Sequence, residues 1–216
     1  MTNFLGGQNE ENMSLFTDLY ELTMCASYFD NKRFGSATFD LFIRRLPPGR
    51  SYFLFAGLEQ SLLFLEKMKF LGNHLIYLKS QGFKEPFLEY LRNFKFTGNV
   101  WAVPEGTVVF PNEPLIRVTA PIIEAQLIET FLLNTVNLQT MIASKASRVV
   151  QSSDGKPVVE FGLRREHGID AGMKVARSSY IAGCAGTSNV LAGMVFGIPI
   201  FGTMAHSYVM SFDKEI

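Results

Sequence analysis

The sequence predicts an α/β protein built in two styles, a mixed α+β part followed by parallel strands alternating with helices. Three observations carry this reading. Half of the 18 glycines lie between Gly155 and Gly202, where they punctuate short apolar runs in the strand–turn–helix order that produces parallel sheets. Residues 98–119 hold three short β-rich runs separated by Pro104-Glu105-Gly106 and by Pro111-Asn112-Glu113-Pro114, which is turn chemistry at the spacing of a small antiparallel sheet. Hydrophobic residues make up 47% of the 216 residues and charged residues 19%. That balance fills one good-sized core or two small ones and excludes intrinsic disorder.

In chain order, residues 14–29 place Leu15, Leu19, Leu22 and Ala26 at helical spacing, with Ser14 set to cap the helix. Residues 37–43 alternate Ala37, Phe39, Leu41 and Ile43 against Thr38 and Asp40, a half-buried strand that Pro47-Pro48-Gly49 follows and ends. Residues 57–68 and 86–94 read as helices. The small sheet is expected from strands at 100–103, 107–110 and 115–119. Pro121 then opens a long apolar-periodic helix or helix pair that runs to about Val150 through Leu127, Phe131, Leu138 and Ile142. From Lys156 onward, 157–161 is a strand, 169–182 a helix, 184–188 a very short strand, 190–196 a helix and 198–202 a strand. Three parallel strands cannot close a barrel, so this section reads as the start of a barrel or of an open sheet. The expected organisation is an N-terminal α+β accessory domain over 1–120, a helical connection over 121–150 and a barrel section over 151–216.

Twenty basic residues balance twenty acidic ones, so the net basic patch that a nucleic-acid partner requires is missing. Residues 1–13 have neither a basic n-region nor a continuous apolar h-region, and no signal peptide is read there. Residues 178–212 contain no Asp, Glu, Lys or Arg, yet Gly183, Gly186, Asn189, Gly193, Gly197, Pro199 and Gly202 interrupt them. Short strands buried on both faces fit that pattern better than a membrane span does. Cys25 and Cys184 match neither a disulfide framework nor a zinc site and read as thiols in a reducing cytoplasm.

In parallel α/β architectures ligands gather at the carboxyl ends of the strands. Here those ends carry Glu160-Phe161-Gly162-Leu163-Arg164-Arg165, then Gly186-Thr187-Ser188-Asn189, then Gly202-Thr203-Met204-Ala205-His206-Ser207. One rim thus offers an aromatic ring, guanidinium groups, small hydroxyl and amide donors and an imidazole. Arginine grips phosphate or carboxylate through its fork, and small residues let backbone N–H groups approach an anion. The rim suits an anionic, partly aromatic small molecule. Each group also has a plainer use: a solvated loop pair for Arg164 and Arg165, a structural histidine for His206, core packing for Phe161, and helix capping for Thr187, Ser188 and Asn189.

These same residues carry a resemblance. TDLYELTM at 17–24, PEGTVVFPNEP at 104–114, LLNTVNLQTMIASKASR at 132–148, EFGLRR at 160–165, GTSNV at 186–190 and GTMAHS at 202–207 together resemble the nicotinate phosphoribosyltransferases, in the family's order and from about Asn12 to the end. The resemblance implies a type II phosphoribosyltransferase fold, an irregular α/β barrel with an accessory sheet domain, of which this chain looks like an incomplete N-terminal portion. It implies formation of nicotinate mononucleotide from nicotinate and phosphoribosyl pyrophosphate with ATP hydrolysis, in NAD biosynthesis, with Mg²⁺ on the pyrophosphate. It also implies a homodimer whose active sites lie at the subunit interface. By motif, Tyr20 would reach the nicotinate ring from the neighbouring subunit and Phe161 would face it. Arg164 would hold the phosphoribosyl portion or the product phosphate, Thr203 would contact the nicotinate region, and His206 would be the histidine that ATP phosphorylates. Ser188 and Asn189 match more loosely, because the related nicotinamide enzymes carry an acidic group about there. Two other readings stand beside this one: a non-catalytic module that keeps the dimer surface, and the related quinolinate enzyme, which needs no phosphohistidine.

Overall fold

The computed structural model describes residues 10–214. Most of the stretch read above for a signal peptide, residues 1–9, lies outside the described residues. The chain forms two compact units, 1–138 and 139–216.

In the first unit a 3₁₀ turn over Glu10–Leu15 precedes helix α1, Leu19–Asp30. Ser14 does not cap that helix, because α1 begins later, with Asp18 as its N-cap. The buried Ser14 hydroxyl instead donates to the Lys69 carbonyl at 2.6 Å and accepts the Lys69 N–H at 3.1 Å. Strands β1 (Ser36–Phe42) and β2 (Phe53–Leu54) follow, then helices α2 (Leu58–Lys67), α3 (Gly72–Ser80) and α4 (Glu85–Arg92). Strands β3 (Asn99–Ala102), β4 (Val108–Val109) and β5 (Pro114–Pro121) lead into α5 (Ile122–Leu127) and α6 (Glu129–Ser152). The sequence reading passed over α3, although His74, Leu75 and Leu78 bury one face of it.

The antiparallel sheet runs in the order β1-β5-β3, with Thr38 opposite Thr119 and Trp101 opposite Arg117. β4 does not join it. It pairs with β2, Phe53 opposite Val109, because that pairing buries both side chains almost completely. As an edge strand β1 is wetter than its alternation suggests. Only Ala37 and Leu41 are half-buried, while Phe39 and Phe42 are exposed and Asp40 pairs with Arg117 at 2.7 Å. Trp101 on the opposite edge strand is 56% exposed. The core beneath is aliphatic and aromatic. Phe53, Phe55, Phe87, Leu88, Leu115 and Ile116 are fully buried, and Phe64 stacks on Phe131 with ring centroids 3.7 Å apart.

α6 carries the division between the units, at Leu138 and Gln139. The second unit continues with strand β6 (Val159–Glu160), a 3₁₀ turn over Leu163–Arg165, α7 (Ile169–Ile181), β7 (Gly186–Thr187), α8 (Val190–Phe196) and α9 (His206–Val209). β6 and β7 are parallel, with Val159 beside Gly186 and Glu160 beside Thr187. The expected third strand is reduced to a single parallel bridge from Thr187 to Ile200. There the Thr187 N–H donates to the Pro199 carbonyl at 3.0 Å and the Phe201 N–H donates to the Thr187 carbonyl at 2.9 Å. Gly186 permits this approach. A Cβ on it would run into the Pro199 carbonyl oxygen and come within 2.6 Å of the Phe201 ring. Among the described residues no helix is long and apolar enough to cross a membrane.

Candidate functional site

The strand ends of the second unit enclose a cavity of about 590 Å³. Phe161, Leu163 and Arg164 line it from the turn after β6, Ser188 from the loop after β7, Val190 from the start of α8, and residues 200–205, Thr203 among them, from the bridge and the segment after it. Four of the expected residues, Phe161, Arg164, Ser188 and Thr203, therefore share one concave surface. Phe161 is 50% exposed although its residue type favours the core. The cause is its position at the end of a two-residue strand, where the chain turns at Gly162 into the Leu163–Arg165 turn.

The cavity wall is mostly apolar, and Arg164 is the one charged group among its 11 lining residues. A positively charged mouth with hydroxyl donors on Ser188 and Thr203, over rings of Phe161 and Phe201, suits an anion attached to a flat apolar body. Sequence reasoning did not single out Leu163, Val190, Ile200, Phe201 or Met204. Their type says only "core", and their exposure follows from the short strands.

Two expected residues sit beside the cavity rather than in it. Asn189 is buried and takes the plainer role: its Oδ1 accepts the Ala192 N–H at 3.1 Å to cap α8, and its Nδ2 donates to the Gly172 carbonyl at 3.2 Å. His206 is exposed and opens α9, directly after the cavity-lining Ala205.

Tyr20 belongs to the first unit, in the opening turn of α1, and is 46% exposed. Partial desolvation, then a hydrogen bond with Glu129 and the charges of Glu129, Glu21 and Asp18, push its phenol up to about 12. It stays a neutral ring with a donor, the form an anionic ligand tolerates. Its neighbour Glu21 has no exposed surface and anchors α1 to α6, accepting the Thr130 N–H at 3.1 Å, the Thr130 hydroxyl at 2.8 Å and the Thr17 hydroxyl. Burial pushes the Glu21 carboxyl above its ordinary value against the opposing pull of those hydrogen bonds. Burial likewise pushes the Cys25 thiol up to about 12 and raises that of Cys184, so neither is a ready nucleophile. No cluster of three or more His, Cys, Asp or Glu side chains able to hold a metal occurs among the described residues.

Comparison with known proteins supplies the relatives. The profile of the nicotinate phosphoribosyltransferase (NAPRTase) N-terminal domain matches residues 15–137. A nicotinate phosphoribosyltransferase of Mycobacterium tuberculosis is 57% identical over 204 residues, 94% of this chain and 44% of that protein. One from Bacillus subtilis is 47% identical over 97% of this chain and 43% of its own length. The crystal structure of human nicotinic acid phosphoribosyltransferase superposes with a TM-score of 0.84 at 39% identity, covering 91% of this chain and 40% of that one. That of nicotinate-nucleotide pyrophosphorylase from Pyrococcus furiosus gives 0.79 at 25% identity, over 98% and 47%. The chain thus spans less than half the length of the relatives it matches.

Proposed function

This chain belongs to the nicotinate phosphoribosyltransferase family and has its type II phosphoribosyltransferase fold, and on that premise we propose that it contributes to making nicotinate mononucleotide from nicotinate and phosphoribosyl pyrophosphate in NAD biosynthesis. The observation that supports this most is the cavity that brings Phe161, Arg164, Ser188 and Thr203 together. In that reaction the pyridine nitrogen bonds to the ribose anomeric carbon as the bond to pyrophosphate breaks, through a cationic transition state that positioning and charge stabilise. The Phe161 ring stacks on the pyridine, worth about 0.5–1.5 kcal/mol beyond burial. Arg164 grips the phosphate through paired N–H groups. The hydroxyls of Ser188 and Thr203 donate to the remaining anionic oxygens, and Leu163, Ile200 and Phe201 exclude water. Tyr20, contributed by a second copy of the chain, closes the other face of the ring, so the working form is a homodimer. The buried thiols of Cys25 and Cys184 support a cytoplasmic setting.

The residues that line the cavity include no carboxylate to hold Mg²⁺. ATP, when bound, supplies a phosphoryl group. The exposed His206 imidazole beside the cavity fits as its acceptor, since a neutral ring nitrogen is nucleophilic near neutral pH.

The test measures nicotinate mononucleotide formation by the chain itself and by the chain joined to the C-terminal sequence of the 57%-identical mycobacterial relative. His206→Ala should abolish ATP-stimulated turnover and acid-labile phosphate on the protein while ATP-independent product formation persists. Undiminished acid-labile phosphate in the variant would remove His206 from this role. Turnover of quinolinate with release of CO₂ would favour the quinolinate enzyme instead.

A further inference from the structure

We propose that Glu160 and Thr187 form a positioning pair that locks together the loops carrying Phe161, Arg164 and Ser188, and that ligand affinity at the cavity depends on this lock. The proposal rests on the reading of the cavity as a ligand site.

The pair is dictated by register. In the parallel β6–β7 ladder Glu160 lies directly beside Thr187, so their side chains share one face of the sheet. The ladder ends there, and the Gly162 N–H in the turn that follows β6 still requires an acceptor. The Glu160 carboxylate supplies one. It accepts the Gly162 N–H on Oε1 and the Thr187 hydroxyl on Oε2 at 2.6 Å. The Thr187 Oγ1 in turn accepts the Asn189 N–H at 3.0 Å. The backbone repeats the tie, with the Ser188 N–H donating to the Glu160 carbonyl at 2.9 Å and the Phe201 N–H donating to the Thr187 carbonyl at 2.9 Å. One carboxylate and one hydroxyl thereby tie the turn after β6 to the loop after β7, and the Thr187 backbone carbonyl holds the 200–205 segment, although neither residue lines the cavity.

The chemistry calls for these residue types. A carboxylate offers two acceptor oxygens where an amide offers one, and both are engaged here. Thr187 has no exposed surface, so a bond broken there is not readily replaced by water. Glu160 also precedes Phe161 by one residue and Arg164 by four, so any slack at the Gly162 turn passes directly to the ring and the guanidinium.

The experiment compares the wild-type chain with Thr187→Val, Thr187→Ser and Glu160→Gln. The readouts are affinity for nicotinate mononucleotide, with inorganic phosphate as a ring-free control, amide hydrogen exchange at Gly162 and Asn189, and melting temperature. Thr187→Val and Glu160→Gln should bind about ten- to hundred-fold more weakly, the loss of one charge-assisted hydrogen bond, while Thr187→Ser stays within about three-fold of wild type. Exchange at Gly162 and Asn189 should quicken in Thr187→Val and stay slow in Thr187→Ser. Wild-type affinity in Thr187→Val, or Thr187→Ser failing as badly as Thr187→Val, overturns the proposal. So does affinity that falls only in step with melting temperature across the series. If the wild-type chain binds neither probe, the reading of the cavity fails. Exchange then decides the lock: unequal rates in the valine and serine variants support it, and equal rates overturn it.

Discussion

Replacing Gly186 by alanine tests whether the cavity wall depends on the close approach of the 198–202 segment to β7. The added Cβ would lie 2.6 and 2.7 Å from two carbons of the Phe201 ring and against the Pro199 carbonyl oxygen, where carbon–carbon contacts settle at about 3.5–4.0 Å. The ring must therefore shift by about 1 Å. The Pro199 oxygen is backbone and already accepts the Thr187 N–H at 3.0 Å, so relieving its clash lengthens that bond. Overpacking of this kind costs about 1–3 kcal/mol and the weakened hydrogen bond about 1 kcal/mol, which sets the expectation at about 2–4 kcal/mol. Urea unfolding followed by circular dichroism measures the sum, and amide exchange at Thr187 and Phe201 localises it. Gly202→Ala is the control, because nothing lies within 4 Å of its Cβ position. A loss below about 0.5 kcal/mol with the Phe201 amide still protected would refute the reasoning.

Two further outcomes are expected. Arg164→Ala should leave stability within about 0.5 kcal/mol of wild type and weaken phosphoribosyl pyrophosphate binding by about 2–4 kcal/mol; isothermal titration showing unchanged affinity would return Arg164 to the solvent. Because burial raises the Glu21 carboxyl, the folded state holds that proton to higher pH than the unfolded chain does. The stabilisation is fully present below about 4.5 and is lost as pH rises through the folded value. Wild type should therefore lose stability relative to Glu21→Gln from pH 4.5 upward, and parallel melting curves for the two proteins across that range would contradict it.

The βαβαβ order of the second unit was legible because glycine and proline break its apolar runs at strand and helix ends, and α8 coincides with the expected 190–196. The rim residues followed from one topological rule, that parallel strands present ligand groups at their carboxyl ends, and that rule placed Phe161, Arg164, Ser188 and Thr203 on one cavity. What stayed hidden depends on pairing across distance. Ser14 looked like a cap because it precedes an apolar run, yet its hydroxyl serves Lys69, 55 residues away. β4 looked like a member of the small sheet, yet it pairs with β2, where Val109 is buried opposite Phe53. The partnership of Glu160 with Thr187 is a matter of register, which composition and periodicity do not encode. The α3 helix was a plainer miss, since His74, Leu75 and Leu78 already had helical spacing.

The protein has one tryptophan, and it stands more than half exposed on the outer strand β3. Its fluorescence therefore belongs to the first unit alone, quenchable by solutes in the folded state and shifting little in colour when the chain unfolds. The unit that holds the cavity has no tryptophan of its own. A tryptophan introduced at Phe201 would place a reporter in the cavity wall itself.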